Sequence, residues 1–206
     1  MHDDPDAESS AATPNDATPL DDEESEGLIP DHLHTKADLN QWEAVNVAQG
    51  LAWASGRRSF DPLSIDAMKR LHRRMFGDTW KWAGSFRRSD KNISPYPWTD
   101  VAVLMRELVQ NTRTQYDASD RSPGALDDLA MRFHHRLVYI HPWPNGNGRH
   151  ARLAADLVLR YWDRPSFTWG SANTLAPEGE TRRRYVAALR AADGGNYQPL
   201  GEFVRT

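Results

Sequence analysis

From Thr35 onward, apolar side chains recur every three or four residues in a series of separate runs. Leu39, Trp42, Asn46 and Leu51 fall on one helical face, opened by Thr35 and Asp38 as a cap and closed by Gly56. A second run opens around Asp61-Pro62, a cap followed by a favoured first-turn proline, and carries Ile65, Met68, Leu71, His72 and Met75 to Gly77. Helical spacing returns from Asp100 to about Tyr116 through Val101, Leu104 and Leu108. It returns again from Ala125, through Leu126, Leu129, Phe133, Leu137 and Ile140, to the His141-Pro142 bond. Further helices fit Gly148 to Trp162, through Leu153, Leu157, Val158 and Tyr161, and Glu178 to Ala192; a short closing turn follows Pro199. One stretch breaks the rhythm. "WKWAGSFRRSDKNISPYPW", Trp80 to Trp98, combines aromatics, turn formers at Ser89 to Asn92 and two prolines, which predicts a short β-hairpin. With no internal repeat, the expectation is one all-α domain with a single small hairpin.

Composition adds limits. The 206 residues are 39% apolar, enough for one domain with a real core. No cysteine is present, so disulfides and thiolate metal sites are excluded and the compartment leans to the cytoplasm. No apolar run approaches the roughly 18 residues a membrane span needs, and the N-terminus is acidic where a signal peptide is basic and then apolar. The expectation is a soluble, cytoplasmic protein without a membrane partner. Charge is unevenly spread: residues 1–29 hold ten acids and no Lys or Arg, leaving 25 basic against 19 acidic side chains beyond them, a net +6. The Ser/Thr/Pro/Ala-rich acidic head lacks the apolar surface to offset its chain entropy, so 1–29 is expected to be a disordered tail and 30–206 the domain. Such a tail solubilises, and a sharper role is to screen a basic phosphate-binding face of its own body. Nucleic acid is not expected, since no helix carries an Arg/Lys stripe with a base-stacking set.

The chemistry concentrates in "YIHPWPNGNGRHARL", Tyr139 to Leu153. Pro142 forces His141 out of helical geometry, and Pro144 stiffens the connection. Gly146 and Gly148 permit unusual backbone angles and close approach of amides to a ligand. The helix that follows aims its free N–H groups and positive dipole end back at the loop, a phosphate cradle. Arg149 and Arg152, three apart, share nearly one face and can address one polyphosphate, with Asn147 orienting it. At the other lip, the His141 imidazole can take a proton from a nucleophile.

These residues resemble the signature of the Fic family: His-Pro-Phe, any residue, Asp or Glu, Gly-Asn-Gly-Arg, two residues, Arg. "HPWPNGNGRHAR" matches at His141, Pro142, Gly146, Asn147, Gly148, Arg149 and Arg152, with Trp143 in the Phe place. "WKWAGSFRRSDKNIS" looks like the family's hairpin flap, and residues 30–206 look like its helical bundle, most similar to the group labelled mobile mystery protein B. The resemblance implies adenylylation: a protein hydroxyl attacks the α-phosphorus of ATP, pyrophosphate leaves, and His141 is the general base. Gly146, Asn147, Gly148, Arg149 and Arg152 bind the phosphates. Mg²⁺ or Mn²⁺ accompanies ATP; the family's acidic metal ligand is Asn145 here, which implies weakened metal binding. The flap implies a docked target protein at Phe86, Arg87 and Ile93, and the family a toxin–antitoxin setting with an antitoxin-like inhibitor.

Other signals are weaker. His134, His135, His141 and His150 crowd one region, but no metal set is completed; His135 is expected to pack under the loop and His134 to be exposed or hydrogen-bonded, and Trp143 to be core. The family's silencing string, in which a Glu pairs with the second motif arginine, is fitted by Thr174 to Gly179. Glu43 offers a degenerate version, with Leu39 where the hydroxyl belongs. Beside the transferase stand two alternatives: a nucleotide-binding module whose chemistry Asn145 has impaired, and a Doc-like phosphoryl transferase.

Overall fold

The structure, a computed structural model, describes residues 27–56, 60–170 and 179–206, with nothing said of the Lys36 side chain. The acidic tail up to residue 26, the start of the helix placed at Glu178, and most of the Thr174 to Gly179 string lie outside the described residues. Seven α-helices are seen among these residues: α1 Lys36–Ser55, α2 Ile65–Phe76, α3 Val101–Ala118, α4 Pro123–Ile140, α5 Asn147–Tyr161, α6 Glu180–Asp193 and α7 Gln198–Val204. A 3-10 turn, Trp98–Asp100, leads into α3.

The caps explain most boundaries. Thr35 and Asp38 form the reciprocal capping box at the start of α1. The start of α2 lies later than the sequence suggests: Ser64 is the cap, while Asp61 accepts from the Leu63 amide in the turn before it and pairs with Arg113. Likewise Ser122 caps α4 with Pro123 in its first turn, two residues ahead of the expected Ala125.

The helices α4 and α5 form the central antiparallel pair, with α3 against α4, α2 against α5, α1 against α2, and α6 with α7 closing the other side. Leu129, Phe133, Leu137 and Ile140 of α4 meet Leu153, Leu157 and Val158 of α5 in one continuous core that also holds Met68, Leu71 and Met75 of α2 and Met105 of α3. Burying each such side chain is worth about 1.5–3 kcal/mol. The buried stripe of α1 is not the one apolar spacing indicates. It runs Leu39, Glu43, Asn46, Gly50 and Ala54, while Leu51 lies exposed. Gly50 explains this register, because a methyl there would lie 2.6 Å from Met75 Cγ and 3.2 Å from the Met75 backbone.

The hairpin expected over 80–98 is not formed; the segment is a chain of turns without a strand ladder, and an isolated β-bridge pairs Leu28 with Trp80. The physical reason is that its polar groups are used elsewhere. Arg87 N–H donates to the Pro142 carbonyl, Ser94 Oγ faces the Tyr139 and Ile140 carbonyls, and Pro95 and Pro97 have no amide to donate. The segment is therefore sewn to the end of α4.

Candidate active site

The connection His141 to Gly146 joins α4 to α5 and keeps the shape of the break that the two prolines predict. His141 ends α4 in the left-handed region, at φ 53° and ψ 60°, as the residue before a proline barred from continuing the helix. Its imidazole is half-buried, with Nδ1 sealed from solvent and without a hydrogen-bond partner. Burial first, then the neighbouring Arg87 guanidinium, push it down to about 4, against the Val138 carbonyl. It is therefore neutral at physiological pH, and only Nε2 is left to meet an incoming hydroxyl.

Beneath the loop lies a sealed aromatic floor: Trp143 is core as expected, while its stacking with His72 and His150 was not foreseen. Trp143 is fully buried, stacked on His72 at 4.3 Å between ring centres, with His150 edge-on at 5.1 Å. Each histidine is fixed as one tautomer. His72 accepts the Gly84 amide at Nδ1 and donates from Nε2 to the Asn145 carbonyl; His150 accepts the Trp143 indole N–H at Nδ1 and donates to the Met68 carbonyl. Burial holds both imidazoles neutral, His150 at about 4 and His72 well below its usual range. The available signal was His72 standing in step with Met68, Leu71 and Met75 on the core face of its helix. His135 is not under the loop as expected: it bonds Asp193 and Tyr197 at the far end of α6. His134 is fully buried and shares a proton with the Tyr185 hydroxyl at 3.0 Å.

Asn147 differs most from its expected role. Its amide clasps the loop, Oδ1 accepting from Trp143 N–H at 2.9 Å and Nδ2 donating to Trp143 C=O at 2.8 Å, so the side chain is closed to phosphate. Gly146 and Gly148 also separate. Gly146 sits at φ 76°, and a Cβ there would lie 2.5 Å from Phe76 Cζ, so its bareness serves packing. At Gly148 a Cβ would meet nothing nearer than Arg152 Nη1, at 3.7 Å, so its face is open to a ligand. The amides of Asn147, Gly148 and Arg149 precede the first helical bond, which His150 donates to Gly146, and they supply the anion-seeking end of α5.

The two arginines diverge rather than form one fork. Arg149 Nη1 lies 2.6 Å from Oε2 of buried Glu43, whose Oε1 accepts the Trp80 indole N–H, and its guanidinium lies 5.0 Å from the Phe76 ring centre. Arg152 is mostly enclosed beside Tyr185, 5.3 Å from its ring centre. Burial pulls its guanidinium down while the Tyr185 hydroxyl supports it. Among the described residues no carboxylate pairs with Arg152. Asp156, one turn on, accepts instead from Trp169 and Phe167, and burial pushes it up to about 6. Arg152 is thus a cation without an ion-pair partner among the described residues, with Arg149 and Arg182 near it and open amides beside it. The Glu43 contact falls on the first motif arginine, not the second as in the family's silencing pair.

Among the expected docking residues, Ile93 is 71% exposed, Phe86 packs on Trp143, and Arg87 is 1% exposed and cannot touch a partner. Asn145 stands at the surface with Oδ1 accepting the Gly146 amide at 2.6 Å. Among the described residues no three His, Asp or Glu gather as a metal set.

Residues 62–159 match the Fic/DOC family. This segment is of the Fic family. Among curated relatives, the protein adenylyltransferase fic-1 of Caenorhabditis elegans is 28% identical over 148 residues, 71% of this chain and 27% of that protein. The protein adenylyltransferase Fic of Drosophila willistoni is 30% identical over 147 residues, 69% of this chain and 27% of that one. The chain therefore spans about a quarter of the length of these relatives. The Fic domain of a Bartonella quintana cell filamentation protein with bound ADP shares the fold, with a TM-score of 0.67, 14% identity and 84% and 86% of the two chains covered. Fic-1 of C. elegans aligns with a TM-score of 0.63, 24% identity and 87% and 50% coverage. These likenesses establish the Fic fold around the loop from His141 to Arg152.

Proposed function

We propose that this Fic domain is a protein adenylyltransferase, moving AMP from ATP to a hydroxyl side chain of a target protein. The observation that carries the reading is the open anion site at the start of α5, where the first amides and the Gly148 face are open with the enclosed Arg152 guanidinium behind them, while a neutral imidazole closes the other lip. The adenylyltransferase relatives and the ADP-bound neighbour support it. In the reaction, His141 Nε2 takes the proton of the target hydroxyl, the oxygen bonds to the α-phosphorus, and the bond to pyrophosphate breaks. The amides of α5 and Arg152 stabilise charge on the phosphates. An imidazole held near 4 is a weak base in the free protein; the anionic phosphates act in the opposite sense to Arg87 and raise it toward working pH.

Mg²⁺ or Mn²⁺ enters as part of the nucleotide substrate, since the loop supplies only the neutral amide of Asn145, already accepting from Gly146. The target docks along the turn segment at Phe86 and Ile93, with exposed Ile93 as the contact. A cytoplasmic setting with an antitoxin-like inhibitor fits this role. No helix among the described residues is long and apolar enough to cross a membrane.

Incubating the protein with ATP labelled at the α or the γ position tests the reading. Label from the α position on protein, lost in His141→Ala, is expected. Label from the γ position marks a phosphoryl transferase, and nucleotide binding without label marks a binding module.

A further inference from the structure

Arg87 is 1% exposed, yet it belongs to a surface segment and carries a charge that burial disfavours. What it touches explains its cost. Its Nε donates to the His141 carbonyl at 2.8 Å, and its own backbone N–H to the Pro142 carbonyl at 2.9 Å. Nη1 donates to Ser89 O at 2.9 Å, and Nη2 to Tyr96 O at 2.7 Å and to Ser94 Oγ at 3.3 Å. Ser94 Oγ in turn faces the Tyr139 and Ile140 carbonyls at 3.3 and 3.1 Å. The carbonyls from Tyr139 to Pro142, which the end of a helix leaves without partners, are thus met by one guanidinium, one hydroxyl and one amide.

Arg87 holds the carbonyls of two successive peptide planes, those following His141 and Pro142; the second plane is also held through its Trp143 N–H by Asn147. His141 lies in the left-handed region, which costs a non-glycine residue about 1–2 kcal/mol and persists only where surroundings hold it. Asp90, at 3.6 Å from Nη1, is largely solvent-exposed and neutralises little of the guanidinium's charge at the imidazole. Among the described residues the charged groups acting on His141 are Arg87 and Lys91, both from the turn segment, and its own helix offers only the Val138 carbonyl.

We propose that Arg87 is a positioning residue for His141: it clamps the His141 and Pro142 carbonyls and sets the left-handed bend that carries the imidazole to the rim of the loop. The proposal rests on the transferase reading for its kinetic consequence; its effect on the imidazole rests on the clamp and on the buried cation beside the ring. It assigns the turn segment a second duty, building the base's position as well as bordering the target.

The test combines NMR titration of the His141 imidazole, identified by its loss in His141→Ala, with transfer kinetics from ATP. In Arg87→Gln the imidazole is expected to titrate higher by roughly half a pH unit or more, since a buried cation beside it is gone. The kcat falls about tenfold or further while KM for ATP stays within about twofold, since position and not binding is lost. Arg87→Lys keeps the charge but not the fork, so it titrates as wild type while kcat falls. Ser94→Ala, which frees the neighbouring Tyr139 and Ile140 carbonyls and removes one acceptor of the Arg87 guanidinium, behaves like Arg87→Lys at smaller size. Should Arg87→Gln fail to fold, the other two variants carry the test. An unmoved His141 titration in folded Arg87→Gln, or wild-type kcat in both Arg87→Lys and Ser94→Ala, overturns the proposal. A wild-type protein that transfers nothing yet shows the titration shift in Arg87→Gln refutes the transferase reading and leaves the positioning role standing.

Discussion

The two helix ends that meet at the loop are treated in opposite ways. The carboxyl end of α4 is closed by protein: Ser94 and Arg87 take its carbonyls, and the imidazole that follows is left uncharged. The amino end of α5 is left open, its first amides bare and Arg152 beside them without an acid among the described residues. A symmetric break, with both ends capped, would be only a turn. The asymmetry gives the connection a direction, with an anion drawn to one lip and a proton taken at the other.

The largest effect expected on this contrast comes from removing the closed lip's working group. His141→Ala lowers kcat for AMP transfer by about 10²- to 10⁴-fold while ADP affinity, read by calorimetry, stays within about twofold, because the phosphates lie at the other end. Acid removes the floor beneath both ends. His134, His141 and His150, held at about 3, 4 and 4, stay neutral in the folded chain where the unfolded chain's imidazoles take protons near 6.5. Stability is therefore full above about 6.5 and falls as pH drops toward 4, each group steepening the slope by up to about 1.4 kcal/mol per pH unit. Urea midpoints measured between pH 7.5 and 4.5 check it, and a flat profile contradicts the buried neutral assignment.

Smaller effects separate the two glycines. Gly146→Ala, forced into φ 76° and against the Phe76 ring, is expected to cost about 2–3 kcal/mol in denaturant melts, whereas Gly148→Ala leaves stability within about 1 kcal/mol and weakens ADP binding instead. Equal losses of stability at both positions would erase the distinction between a packing glycine and a ligand-facing one. Smallest is Glu43→Gln. It frees Arg149 from its ion pair, and ADP affinity measured calorimetrically rises by several-fold, about 1 kcal/mol. Unchanged affinity would show that Arg149 takes no part in phosphate binding.

Much of this was legible in the chain. The runs of α2, α3, α4 and α5 follow from apolar spacing because those helices bury apolar stripes, and the break between α4 and α5 follows from Pro142 and the two glycines. The buried face of α1 was legible only in part: Leu39 and Asn46 were placed on it, but Glu43 and Gly50 stand there in place of Trp42 and Leu51; Glu43 is buried because Arg149 and Trp80 satisfy it. The turn segment was misread for a related reason. Aromatics between turn formers suit a hairpin, but the partners that claim Arg87 and Ser94 lie some fifty residues away, and local pattern holds no record of them. At the site, His141 and the open amides were found from spacing. The clasp by Asn147 and the divergence of the two arginines were not, because each depends on which neighbour reaches the side chain first.

The Asn147 clasp has a consequence for how its substitutions should be interpreted. Aspartate is its nearest match in outline, yet it would turn the group facing the Trp143 carbonyl from a hydrogen-bond giver into a second oxygen, so that two electron-rich atoms would push apart at the centre of the bend. An exchange of a single atom's identity would thus unbuckle the loop, and any activity lost with it would record a change of form rather than a missing grip on the nucleotide.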